Sequence, residues 1–95
     1  MPFMLVTHKV ADFNAWKLEF DTHLRTRRTS GLIDLHVMRD DSDPNTVVLL
    51  FGTTDLGRAR EFMSSNELHT VMRSAGVLGQ PQIKFLNESH WNESH

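Results

Sequence analysis

The chain has no cysteine, which excludes disulfides, thiolate nucleophiles and cysteine-ligated metals. It has no basic block either. Its 10 Lys and Arg stand against 12 Asp and Glu, a formal charge of -2 that offers no electrostatic footprint for nucleic acid. No apolar run approaches membrane-spanning length, so no membrane partner is expected. Met1-Pro2-Phe3-Met4-Leu5-Val6 lacks the basic start and long apolar middle of a signal peptide, and the expected location is cytoplasmic. No G-x-S-x-G surrounds a serine, and Gly76-Val77-Leu78-Gly79 follows a helical pattern instead of opening one, so it is no phosphate loop. Neither H-x-H nor H-E-x-x-H occurs, so neither a metal nor a cofactor is expected.

What is present is one modest domain. Its 95 residues are 39% hydrophobic, too apolar for a disordered chain and short enough that association with a second copy would help. Phe3 to Lys9 reads as a strand. Asp12 is a good N-cap, and Phe13, Trp16, Phe20, Leu24 and Arg27 then recur three or four apart as one helical stripe, stopped by Gly31. Leu32 to Arg39 is a second strand, and Asp40-Asp41-Ser42-Asp43-Pro44-Asn45 a turn that lacks the central Gly and distal Glu of a calcium loop. Thr46 to Gly52 is a strand apolar on both faces. Asp55 opens a second helix, which Ser64-Ser65-Asn66-Glu67 restarts with the spacing of a capping box. Pro81 to Leu86 is the last strand. Residues 87–95 repeat Asn-Glu-Ser-His around Trp91 and are set apart as a polar tail, leaving 1–86 as the domain.

The order β-α-β-β-α-β is the ferredoxin-like, split βαβ arrangement of the α+β class: a four-stranded antiparallel sheet with both helices on one face. Two central strands with apolar residues on both sides then need a cover on the other face. A second copy packed sheet to sheet supplies it.

Three stretches carry a resemblance that agrees with this: Phe3-Met4-Leu5-Val6, Val47-Val48-Leu49-Leu50-Phe51 leading to Asp55-Leu56, and Phe62-Met63-Ser64-Ser65 before Leu68. From Met1 to Leu86 the chain resembles the dimeric α+β barrel superfamily, in particular small proteins like the antibiotic-biosynthesis monooxygenase domain. The resemblance implies a homodimer and a fold that houses cofactor-free monooxygenases, isomerases, haem-degrading enzymes and proteins of no known activity. The haem degraders' Asn, Trp and His fall on Thr7, Phe62 and Met72 here, with His69 nearby. None matches, so haem degradation is disfavoured.

The same comparison turns Thr7 toward the helices. That leaves the even-numbered strand positions, Met4, Val6, His8 and Leu32, Asp34, His36, Met38, looking into the dimer barrel. Imidazole can serve as acid or base near neutral pH without large tuning, which makes His8 and His36 the catalytic candidates. A strand histidine that merely bonds a neighbour is the plainer alternative. Trp16 and His23, seven apart on one helix face, suit a flat apolar ligand, with Thr7, Met38, Phe51 and Phe62 as further ligand-binding candidates. Arg27, Arg39 and Arg73 could each bind an anionic ligand, but isolated arginines are usually solvent-exposed, and solvent is the expectation here. The expected function is a homodimer that binds a small apolar or aromatic molecule. The alternative is a cofactor-independent monooxygenase or isomerase acting on a small aromatic or polyketide-like substrate.

Overall fold

Strand β1 (Phe3–Val10) lies at the centre of the sheet, because its buried side is apolar along most of its length: Met4, Val6 and Val10 are almost fully enclosed. The computed structural model describes residues 1–89. Residues 90–95, which include Trp91 and the second copy of the repeated tetrapeptide, lie outside the described residues. After β1 come α1 (Phe13–Thr22), α2 (Leu24–Thr29), β2 (Leu32–Arg39), β3 (Thr46–Thr53), α3 (Leu56–Met63), α4 (Asn66–Ser74) and β4 (Val77–Leu86). The sheet runs β2-β3-β1-β4, antiparallel throughout, with the helices on one face. This is the ferredoxin-like α+β fold, with each of its two helices broken into a pair.

Local chemistry sets the breaks. Asp12 caps α1 by accepting from the Asn14 amide at 3.0 Å. At His23 the backbone leaves the helical region, and the ring Nδ1–H donates to the Glu19 carbonyl at 2.8 Å, a bond that places the proton on Nδ1 because a carbonyl can only accept. The single first helix expected from the stripe is therefore two. Gly31, at φ 87°, stops α2 in the left-handed region where a side chain would be strained. The second break falls where the serines stand, one residue later than the S-x-x-E spacing implies: Ser65 caps α4 through the Leu68 amide, while Ser64 donates to carbonyls of α3. Glu67 thus occupies the first turn without closing a reciprocal box. In the aspartate turn, Asp40 accepts from the amides of Ser42 and Asp43, and Asp43 from that of Asn45, so the carboxylates hold the turn itself.

Two irregularities decide which way the site residues face. In β2, Asp34 pairs with Phe51 but His36 pairs with Leu50, so Leu35 is an extra residue that reverses the alternation. In β4, Thr7 pairs with Gln82 and Lys9 with Leu78, so the chain leaves register opposite His8 and passes through Gly79 at φ 69°. β4 also begins four residues before the expected start at Pro81, because Val77 and Leu78 pair with Val10 and Lys9.

The helix face of the sheet carries Met4, Val6, His8, Val10, Leu32, Val47, Leu49 and Phe51, packed under Trp16, Ala59 and Met63. The opposite face carries Phe3, Leu5, Thr7, Val48 and Leu50 at the centre, flanked by exposed Ile33, Leu35, Met38 and Leu86. Among the described residues no helix is long and apolar enough to cross a membrane.

Candidate functional site

The two helix pairs leave a cavity of about 360 Å³ between them and the sheet. Its floor is Val6, His8, Leu32, Leu49 and Phe51. Trp16, Phe20, His23 and Arg27 form one wall, and Phe62, Met63, Leu68, Val71 and Met72 the other. The first wall is a row of rings. Trp16 stacks on Phe20 at 4.9 Å between centroids, Phe13 stands 5.7 Å beyond Trp16, and Phe20 reaches Phe51 at 6.4 Å.

One polar group interrupts the apolar floor. His8 is 6% exposed, meets the edge of Trp16 at 5.4 Å, and has no hydrogen-bond partner on Nδ1 or Nε2 among the described residues. Desolvation by burial pushes its pKa down from 6.5 to about 4. Near pH 7 the ring is therefore neutral, with one N–H to donate and one lone pair to accept.

Arg27 is buried as well, against the expectation of a solvent position. Its Nε and Nη2 donate to Asp34 at 2.9 and 2.8 Å, Nη1 donates to the Phe20 carbonyl, and the guanidinium carbon lies 3.6 Å over the Phe20 ring. The pair ties α2 to the start of β2. Arg58, reaching from α3 to the Thr29 carbonyl, ties the other helix pair to the end of α2.

The structure thus brings together His8, Trp16, His23, Phe51 and Phe62 around one cavity. It separates them from Thr7, His36 and Met38, which pair with Val48, Leu50 and Val48 on the opposite face. Three expectations are corrected. Thr7 faces away from the helices and His8 toward them, because Met4, Val6 and His8 share the buried side. His8 and His36 are not on one face. Asp34 does not share a face with His36, because the bulge at Leu35 intervenes and Asp34 is held by Arg27. Phe20 and Arg27 also line the cavity, and both stand on the helical stripe with Trp16. Their shared spacing was the available signal.

No family model matches the chain, and no curated protein matches it in sequence. Solved structures do match in shape. An antibiotic biosynthesis monooxygenase superposes over 95% of this chain and 100% of its own, with a TM-score of 0.70 at 8% identity. The fold is the ferredoxin-like one of antibiotic biosynthesis monooxygenase-like proteins. A candidate monooxygenase of that kind from Bordetella bronchiseptica reaches a TM-score of 0.75 at 9% identity, covering 94% of this chain and 97% of that one. An uncharacterized NIPSNAP domain protein from Burkholderia xenovorans gives 0.66 at 12% identity, covering 97% and 98%. At such identities the likeness concerns the fold alone.

Proposed function

We propose that the protein is a homodimer that binds a small, flat, apolar or aromatic molecule in the cavity of each protomer, with His8 as the group that fixes its orientation. The observation that supports this is the buried imidazole with both nitrogens unpartnered among the described residues. Leaving a buried polar group unsatisfied costs roughly 1–3 kcal/mol, and an apolar residue on the floor would avoid that cost. A ligand hydroxyl or carbonyl set against His8 offsets it. The ring-lined wall favours a flat partner, and about 360 Å³ suits a molecule of one to three fused rings.

The dimer rests on the other face. Ile33, Leu35, Met38 and Leu86 are 37–47% exposed there beside half-buried Phe3, Leu5, Val48 and Leu50. A contiguous apolar surface of that kind marks an interaction site, and a second copy is its self-complementary cover. In this reading Thr7, His36 and Met38 belong to the dimer interface.

A panel of flat aromatics titrated against the protein, followed by calorimetry and tryptophan fluorescence, tests the cavity. Saturable binding that weakens about tenfold on His8→Leu is expected. Binding that ignores this substitution would dismiss His8 as the orienting group.

A second reading follows from the neutral state of the same ring. A neutral imidazole on the cavity floor keeps the lone pair that a general base needs, although a pKa of about 4 makes it a weak base near pH 7, and the monooxygenase-like neighbours share the fold. Oxygen uptake or isomerisation with a quinol panel, abolished by His8→Ala, would favour it over binding alone. The absence of turnover with ligands that bind tightly would leave the binding function.

A further inference from the structure

Of the charged side chains that line the cavity among the described residues, Glu19, Arg27 and Glu67, only Arg27 is buried. Its charge is matched before any ligand arrives. The guanidinium fork is occupied by both oxygens of Asp34 and by the Phe20 carbonyl, and its face is occupied by the Phe20 ring. Arg27 is 6% exposed, so the pair is a fixed part of the wall. The other two charged groups, Glu19 on α1 and Glu67 on α4, are exposed carboxylates that also line the cavity.

Resting on the cavity reading above, we propose that Asp34 determines the charge of the ligand: by holding Arg27, it makes the cavity select an uncharged aromatic hydroxyl compound and refuse the corresponding carboxylate. A carboxylate entering beside His8 would lose its water and gain no unpaired arginine or lysine among the described lining residues, while sharing the cavity with two like charges. Desolvating an unpaired charge is far more costly than desolvating a hydroxyl. A phenolic hydroxyl needs only what a neutral imidazole offers, one donor or one acceptor. The flat wall of Trp16 and Phe20 fits both molecules equally, so shape does not discriminate between them. Charge does.

Two probes on the same scaffold, 2-naphthol and 2-naphthoate, isolate the effect at neutral pH, where the first is uncharged and the second ionised. Their affinities would be measured by calorimetry on the wild-type protein, on Asp34→Asn and on Arg27→Gln/Asp34→Asn, each checked for folding by near-ultraviolet circular dichroism. The wild type is expected to bind naphthol at least about tenfold more tightly than naphthoate. Asp34→Asn frees the guanidinium and is expected to shift that ratio about fivefold or more toward naphthoate. The double variant removes both charges and returns the ratio to the wild-type side. Equal wild-type affinities would overturn the selectivity while leaving the cavity reading intact. Binding of neither probe would remove the cavity reading and the selectivity with it. If Asp34→Asn does not fold, the wild-type ratio decides between selection and its absence, and Asp34→Ser, which also frees the guanidinium, reads the shift toward naphthoate; a folded Asp34→Ser with the wild-type ratio would overturn the role of the pair.

Discussion

At the scale of single residues, the burial proposed to let His8 orient a ligand also ties the stability of the fold to pH. Its folded-state pKa of about 4 lies below the ordinary 6.5, so on acidification the unfolded chain takes up a proton before the folded one does. The folded state is then penalised progressively as pH falls from about 6.5 toward 4, and its full stability is present above that window. The whole shift corresponds to about 3 kcal/mol at most. Urea denaturation at pH 7.5 and at pH 4.5 should therefore show the wild type losing about 2 kcal/mol more than His8→Leu over that interval. Glu19, His23 and Glu67 on the cavity walls are common to both proteins, so the difference isolates His8. At pH 7.5 the leucine variant should be at least as stable as the wild type, because it removes a buried polar group that has no partner among the described residues. Equal acid sensitivity of the two proteins would mean that the ring is not held in its enclosed, neutral position.

At the scale of elements, most of the architecture can be read from spacing, and the orientation of the site cannot. The strand at Leu32–Arg39, the order of elements and the helix face of Trp16 follow from apolar periodicity, because burial repeats with the geometry of the element. A bulge leaves no such trace. Leu35 is as apolar as Ile33 and Val37, so nothing in the residue types shows that it is the extra one, yet it sends His36 to one side and leaves Asp34 on the other. The direction of β1 is hidden for a similar reason: Phe3 and Leu5 are as hydrophobic as Met4 and Val6, and only the packing of Trp16 over His8 distinguishes the faces. Capping is legible to within one residue. Ser65 and Ser64 are chemically identical, and the geometry of the break selects the second. Replacing Ser65 by Ala should cost about 1 kcal/mol in thermal or chemical unfolding, through the lost bond to the Leu68 amide. Ser64→Ala should cost less, since its hydroxyl bonds only to exposed helix carbonyls. A reversed order of the two effects would move the start of α4 back to the S-x-x-E position.

At the scale of the whole molecule, the sheet presents two unlike faces. One face is closed by the protein's own helices and holds the cavity; the other presents Phe3, Leu5, Val48 and Leu50 between the exposed side chains of β2 and the end of β4. Sedimentation at micromolar concentration should give twice the 11.0 kDa chain mass. Leu35→Asp with Met38→Asp is the sharper experiment. Both positions are already open to solvent in a single chain, 37% and 41% exposed, so the substitutions cost an isolated protomer little. In a sheet-to-sheet dimer they bury four uncompensated carboxylates, which should weaken association by far more than tenfold. Because none of the cavity-lining residues is on that face, the resulting monomer should keep its affinity for 2-naphthol and its response to His8→Leu. A double variant that sediments as a dimer would mean that the copies meet through another surface. A monomer that folds but binds nothing would mean that each cavity takes its shape from the partner, and the two faces would then be one coupled device.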